Sequence, residues 1–147
     1  MFTFSKLSLL VVSTFGIASS ALAVPVESRS NSTLVARGPF DVHNGWATWY
    51  NPSEDIGACG QMHYDSELVA AIGHSLYEEM MVDGNPNHGK ACGKTAKVTW
   101  KGKSVTVKIV DMCMGCGDHD IDLSPAAFQK LADLDVGQLV GTSWKFN

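Results

Sequence analysis

Beyond residue 44 the chain is a succession of short segments in which apolar and polar side chains alternate, each closed by Gly, Asn, Asp or Pro. In "SVTVKIVD", Val105, Val107 and Ile109 share one face while Thr106 and Lys108 take the other. That period of two is the mark of a half-buried strand. The same reading predicts strands over 45–50, 67–73, 95–100, 103–111, 119–124 and 141–146, all rich in β-branched or aromatic residues. Lys101-Gly102 between the third and fourth predicts a tight hairpin. Six such strands predict an all-β domain, a small closed barrel rather than an open sheet.

Helical spacing is rare. "SPAAFQKLA" offers Ser124 as an N-cap, Pro125 at the first helical position, and Phe128 and Leu131 spaced to face a core. It predicts one or two turns after a strand. "HSLYEEMM" (74–81) is a second short helix, ending before the turn-rich "DGNPNHG".

At the N-terminus the pattern changes. Lys6 precedes an apolar run from Leu7 to Ile17, followed by Ala21, Leu22 and Ala23, which predicts a secretory signal peptide over 1–23. The run is too short for a permanent membrane anchor of about 20 apolar residues. Residues 24–37 are small and polar and predict a flexible leader or propeptide, in which Asn31-Ser32-Thr33 is a glycosylation sequon. Residues 38–147 are then one domain of an exported, extracellular and monomeric protein.

Charge narrows the partners. In 38–147 eight lysines stand against fourteen carboxylates, a net −6, and no arginine follows Arg37. Nucleic-acid binding rests on neutralising phosphates, so an acidic, Arg-free domain argues against it. Membrane association has no segment to carry it, and a neutral partner fits better than an anionic one.

The stretch "DMCMGCGDHDIDLS" (111–124) concentrates the candidate chemistry. Cys113, Cys116 and His119 have the close spacing of metal ligands, yet no second CxxC or HxxxH supplies the other half of a zinc site, so no metal is expected. A redox CxxC opens a helix, whereas this one joins two strands. In an exported chain the four cysteines Cys59, Cys92, Cys113 and Cys116 default to disulfides. Of three possible pairings we adopt Cys59–Cys92 and Cys113–Cys116, worth about 3 to 4 and about 2 kcal/mol by loop entropy. His43, His63, His74 and His88 are scattered among loops with no triad spacing, and neither a nucleophile elbow nor a phosphate-binding glycine loop occurs.

Asp111 closes the apolar run "VKIV", a position suited to an open barrel end. In "DIDLS" alternation separates Ile121 and Leu123 from Asp120 and Asp122, so Asp111 and Asp122 are expected to converge at that end. "WATWY" supplies Trp46, Trp49 and Tyr50 around Thr48. An aromatic left exposed there would stack on a sugar ring beside groups that hydrogen-bond its hydroxyls.

Taken together, "GWATWYNPSEDIGACG", "KACGK", "VTVKIVDMCMGC" and "DIDLSPAAFQKLA…VG…GTSWKF" resemble the single-domain expansin-like proteins of fungi called loosenins. The pattern is shared with rare-lipoprotein-A-like and barwin-like domains and with a secreted bacterial papain inhibitor. The resemblance covers about residues 44–147 and implies a six-stranded double-psi β-barrel.

It also implies roles. The aspartate before "LS", the key acid of expansins and family-45 endoglucanases, falls on Asp122, the strand-end aspartate on Asp111, and the threonine of "ATWY" on Thr48. Tyr50 and Trp49 are the expected substrate contacts. Cys113 stands where bacterial expansins carry a groove tyrosine. The endoglucanases add a base aspartate just after the first strand, where this chain reads Tyr50, Asn51, Pro52, with Glu54 and Asp55 the nearest carboxylates. An inverting mechanism needs that second carboxylate. The resemblance therefore implies binding and loosening of cell-wall polysaccharide (cellulose, related glucan or chitin) without hydrolysis and without a cofactor. Two alternatives remain: a cysteine-protease inhibitor or host-interaction effector on the same barrel, partnered by a host protease, and a weak endoglucanase.

Overall fold

A computed structural model describes residues 38–147 of the chain. The expected signal peptide, leader and Asn31 sequon lie outside the described residues. The elements run β1 (His43–Trp49), β2 (Val69–Gly73), α1 (His74–Glu79), β3 (Thr95–Trp100), β4 (Lys103–Cys113), β5 (Ile121–Leu123), α2 (Pro125–Phe128) and β6 (Leu139–Phe146). Short 3-10 turns stand at Pro86–His88 and Leu134–Val136. Among the described residues no helix is long and apolar enough to cross a membrane.

The strands close into a six-stranded barrel in the order β1-β5-β2-β4-β3-β6. The β1/β5 and β2/β4 pairs are parallel and the other neighbours antiparallel. This is the double-psi barrel the resemblance implied. Val105, Val107 and Ile109, alternate residues of β4, meet Ile72, Ile121, Leu123 and Trp144 in the interior, all buried. Phe128 and Leu131 reach the same core, and truncating Phe128 to alanine would cost about 3 to 5 kcal/mol. The β3/β4 hairpin turns on Lys101 and Gly102, both at positive φ, as a two-residue primed turn requires.

Local hydrogen bonding trims the predicted elements. The strand expected from 67 begins at Val69, because the Glu67 carboxylate accepts from Tyr64 N at 2.7 Å and closes a turn there. The strand expected from 119 begins at Ile121, because Asp120 accepts from Gly117 N at 2.9 Å and from Trp46 N at 3.0 Å. Ser124 caps α2 as expected, accepting from Ala127 N at 3.3 Å, but the helix completes a single turn.

The segment 117–120, just after the Cys113–Cys116 bridge, lies close over two strands, which fixes two glycines. A Cβ at Gly73 would run into the Gly117 carbonyl, and one at Gly45 into Asp120 and the His119 carbonyl. Both disulfides form as expected, Cys59–Cys92 and Cys113–Cys116. The first joins the β1–β2 connection to the segment after Pro86–His88. Tyr77 lies against it, its hydroxyl 3.0 Å from Cys92 Sγ and donating to Pro86 O at 2.8 Å.

Candidate functional site

Strand register assembles the site. Across β1, β5, β2 and β4 the level partners are Thr48, Asp122, Ala71 and Asp111. Residues level across a sheet point to one face. The preceding row, Ala47, Ile121 and Ile72, points into the core, so Thr48, Asp122 and Asp111 point away from it. Simple alternation would group Asp111 with Val105, Val107 and Ile109. A β-bulge prevents this: from Ala70 to Ala71 β2 advances one residue while β4 advances two, from Ile109 to Asp111. The extra residue, Val110, is held by its carbonyl, which accepts from Cys59 N at 3.2 Å. The aspartates therefore stand on the side of the barrel wall away from the core, two strand spacings or about 10 Å apart at the backbone, within two residues of the strand ends Leu123 and Cys113.

Asp122 is half-buried. Its Oδ1 accepts from the Thr48 hydroxyl at 2.6 Å. Burial pushes its pKa above the ordinary carboxylate range; the bonds from Thr48 and from Leu123 N–H oppose the shift, and the charge of Asp111 adds to it. Its Oδ2 lies 3.9 Å from Cys113 Sγ. A disulfide sulfur carries no proton, so this is packing of sulfur against the carboxyl rather than a hydrogen bond. Asp111 is fixed differently, with Oδ1 accepting from Ala58 N at 2.7 Å and Met112 N at 2.8 Å.

Tyr50 completes the group. Its backbone N–H donates to Leu123 O at 3.0 Å, continuing the β1/β5 pairing one residue past the strand. Its hydroxyl is buried without a hydrogen-bond partner among the described residues. Burial first, then the charges of Asp111 and Asp122, raise its pKa far above that of a free phenol. Trp49 is not part of the cluster. It pairs with Leu123 on the opposite face to Thr48, and its indole N–H donates to Leu134 O at 3.2 Å. The structure thus brings together Thr48, Tyr50, Asp111 and Asp122, and leaves Trp49, 36% exposed, at the barrel end.

The remaining chemistry is structural. Cys113 Sγ, Cys116 Sγ and an Asp122 oxygen lie within 4.8 Å of one another, but the two sulfurs are bonded to each other and neither is a thiolate. His119, the third residue of the zinc reading, has its Nδ1 3.1 Å from Nδ1 of His43. His43 is buried and stacks on Trp144 at 4.2 Å, and burial lowers its pKa. His63, His74 and His88 face Glu67, Glu78 and Asp83. Where the related endoglucanases have a base, Asn51 and Ser53 instead hold Asp65: Asn51 Nδ2 donates to Oδ2 at 2.8 Å and the Ser53 hydroxyl to Oδ1 at 2.8 Å. These bonds lower the Asp65 pKa. Glu54 is exposed, and Asp55 accepts from its neighbour Ile56 N at 2.7 Å.

Sequence reading missed the Ala58 N–H that holds Asp111, the sulfur against Asp122 and the role of Asp65. The first depends on a contact distant in sequence, and the other two on how the intervening loops fold back, which no local pattern reports.

A double-psi barrel with this outward aspartate row defines the class. A family profile described as lytic transglycolase, a double-psi barrel group that includes rare-lipoprotein-A-like and barwin-like domains, matches residues 42–140. The chain belongs to this family. It is 36% identical over 104 residues to the papain inhibitor of Streptomyces mobaraensis, covering 69% of each chain. The solved Streptomyces papain inhibitor superposes with a TM-score of 0.66 at 34% identity, over 75% of this chain and 98% of that one. The chain is also 33% identical to expansin-like protein 3 of Dictyostelium discoideum over 119 residues, 72% of this chain and 33% of that protein. The expansin of Clavibacter michiganensis superposes with a TM-score of 0.58 at 26% identity, over 73% of this chain and 50% of that one. A mutant of it in complex with cellohexaose gives 0.59 at 24% identity, over the same shares. The chain thus has an expansin-like fold but spans half or less of these expansin relatives.

Proposed function

We propose that the chain is a secreted expansin-like protein that binds and loosens cell-wall polysaccharide, without hydrolysing it, along the outer face centred on Asp122. The observation that carries this reading is the level row of Thr48, Asp122 and Asp111, in which burial raises the Asp122 pKa above the ordinary carboxylate range. Such a carboxyl accepts from sugar hydroxyls and can share a proton with a glycan oxygen, the second of which an amide in its place cannot do. Tyr50 adds a phenol beside it. Hydrolysis with inversion would need a free second carboxylate. Asp65, the carboxylate that Asn51 and Ser53 hold beside that position, has both oxygens hydrogen-bonded and a lowered pKa, which makes it a poor base.

The cellohexaose complex of the Clavibacter expansin makes β-linked glucan the first substrate class to test. Pulldown on cellulose and chitin, with fibre loosening read in parallel, should lose at least tenfold in Asp122→Asn. Unchanged binding and loosening in that variant would overturn the reading. Reducing ends released from soluble glucan by the wild type would restore the endoglucanase.

The likeness to the papain inhibitor supports a second reading, inhibition of a cysteine protease. Its candidate contact is the loop 83–89, pre-organised by the Asp83–His88 contact at 2.7 Å, by the bond from Tyr77 to Pro86 O and by the adjacent Cys59–Cys92 bridge. Papain inhibition that survives Asp122→Asn and disappears when Asn85–His88 is replaced by glycine and serine would establish it.

A further inference from the structure

The net charge of −6 conceals a face with no carboxylate. On the far side of the barrel from the Asp122 row, β6, β3 and β4 are neighbours. Their register sets Lys145, Lys97 and Thr106 in one row and Ser143, Thr99 and Ser104 in the next. The intervening residues Ala96, Val98, Val105, Val107 and Trp144 are buried, so these two rows form the outer surface. It consists of two lysines and four hydroxyls.

None of the six side chains has a hydrogen-bond or ion-pair partner among the described residues. Lys97 and Lys145 are direct cross-strand partners, an arrangement that repels at a Cβ separation of about 5 Å. Beside them lies a hollow of about 250 Å³ lined by Val42, Lys97, Thr99, Ser143, Trp144 and Lys145.

We propose that this face is a second binding surface, separate from the Asp122 row, for a carboxylate-bearing polysaccharide. An acid group placed between Lys97 and Lys145 relieves their repulsion, and the Ser and Thr hydroxyls bond the neighbouring sugar hydroxyls. The charge complementarity is local: a polyanion is repelled by the domain as a whole and accepted where carboxylates are absent. Nucleic acid is the poorer match. The rows contain neither an arginine fork for phosphate nor an exposed aromatic ring for base stacking.

Binding to immobilised polygalacturonate, compared with cellulose, tests the proposal. Wild type should bind polygalacturonate at about 20 mM salt and release it at about 200 mM, where screening is strong. Lys97→Gln combined with Lys145→Gln should weaken that binding about tenfold and leave the cellulose pulldown and the melting temperature undiminished. Asp122→Asn should leave polygalacturonate binding intact, which separates this surface from the glucan site. Equal binding by the double lysine variant, salt-independent binding by the wild type, or tighter binding to duplex DNA at matched salt would each overturn it.

Discussion

Thr48 and Asp122 are level partners in the parallel β1/β5 pair, and the threonine hydroxyl donates to the aspartate at 2.6 Å. That bond does two things at once. It fixes the carboxyl on the barrel wall, and it partly offsets the burial that raises the Asp122 pKa. In Thr48→Val, of similar shape, the Asp122 pKa should rise further and stability should fall by about 1 to 2 kcal/mol at neutral pH. Carboxyl-detected NMR titration and urea unfolding check the two effects, and the stability loss should fade at a pH low enough to protonate the carboxyl.

Asp122→Asn should stabilise the protein while weakening function. A carboxyl whose pKa is higher folded than unfolded holds its proton more tightly in the folded state. Its penalty is absent below the unfolded value, grows as the pH rises toward the folded value, and is complete above it. The asparagine variant still accepts from Thr48 and carries no charge. Its unfolding free energy should match the wild type near pH 3 and exceed it at pH 7 by an amount on the order of 1 kcal/mol, read by urea unfolding. A variant less stable than wild type at pH 7 would show that Asp122 is stabilising as a carboxylate.

The two bridges should differ in kind. Replacing Cys59 and Cys92 by alanine removes a link across 33 residues, with an expected loss of about 3 to 4 kcal/mol in urea unfolding. Replacing Cys113 and Cys116 opens a link across 3 residues, with a loss of about 2 kcal/mol. The second change also removes the sulfur packed on Asp122, so the carboxyl becomes better hydrated and its pKa should drop toward the ordinary value. Only the CxxC variant should shift the Asp122 titration.

The barrel was legible because alternation in "SVTVKIVD" and its neighbours is a local property, and each strand reports its own buried face. Thr48 and Asp122 were legible through the motifs that contain them. The placement of Asp111 was not, because alternation by itself groups it with Val105, Val107 and Ile109. What turns it outward is the bulge at Val110, set by pairing with Ala71 and anchored by Cys59, some 50 residues upstream. Trp49, next to Thr48 in sequence, stands on the other side of the strand opposite Leu123, as alternation by itself requires.

Tyr50 offers the sharpest test of whether the site is built for a ligand. A buried hydroxyl without a partner costs about 1 to 3 kcal/mol, and Tyr50 carries one that has no partner among the described residues and feels the charges of Asp111 and Asp122. If that group served the fold alone, its retention would be a burden without return. A sugar oxygen entering beside Asp122 would supply the missing partner. Tyr50→Phe keeps the ring and deletes the unpaired group, so the free protein should be as stable as wild type or more stable by about 1 kcal/mol, while cellulose binding falls about tenfold. Unfolding and pulldown on the same preparation read both quantities. A stability loss above 1 kcal/mol with binding unchanged would assign the hydroxyl to the fold and remove it from the site.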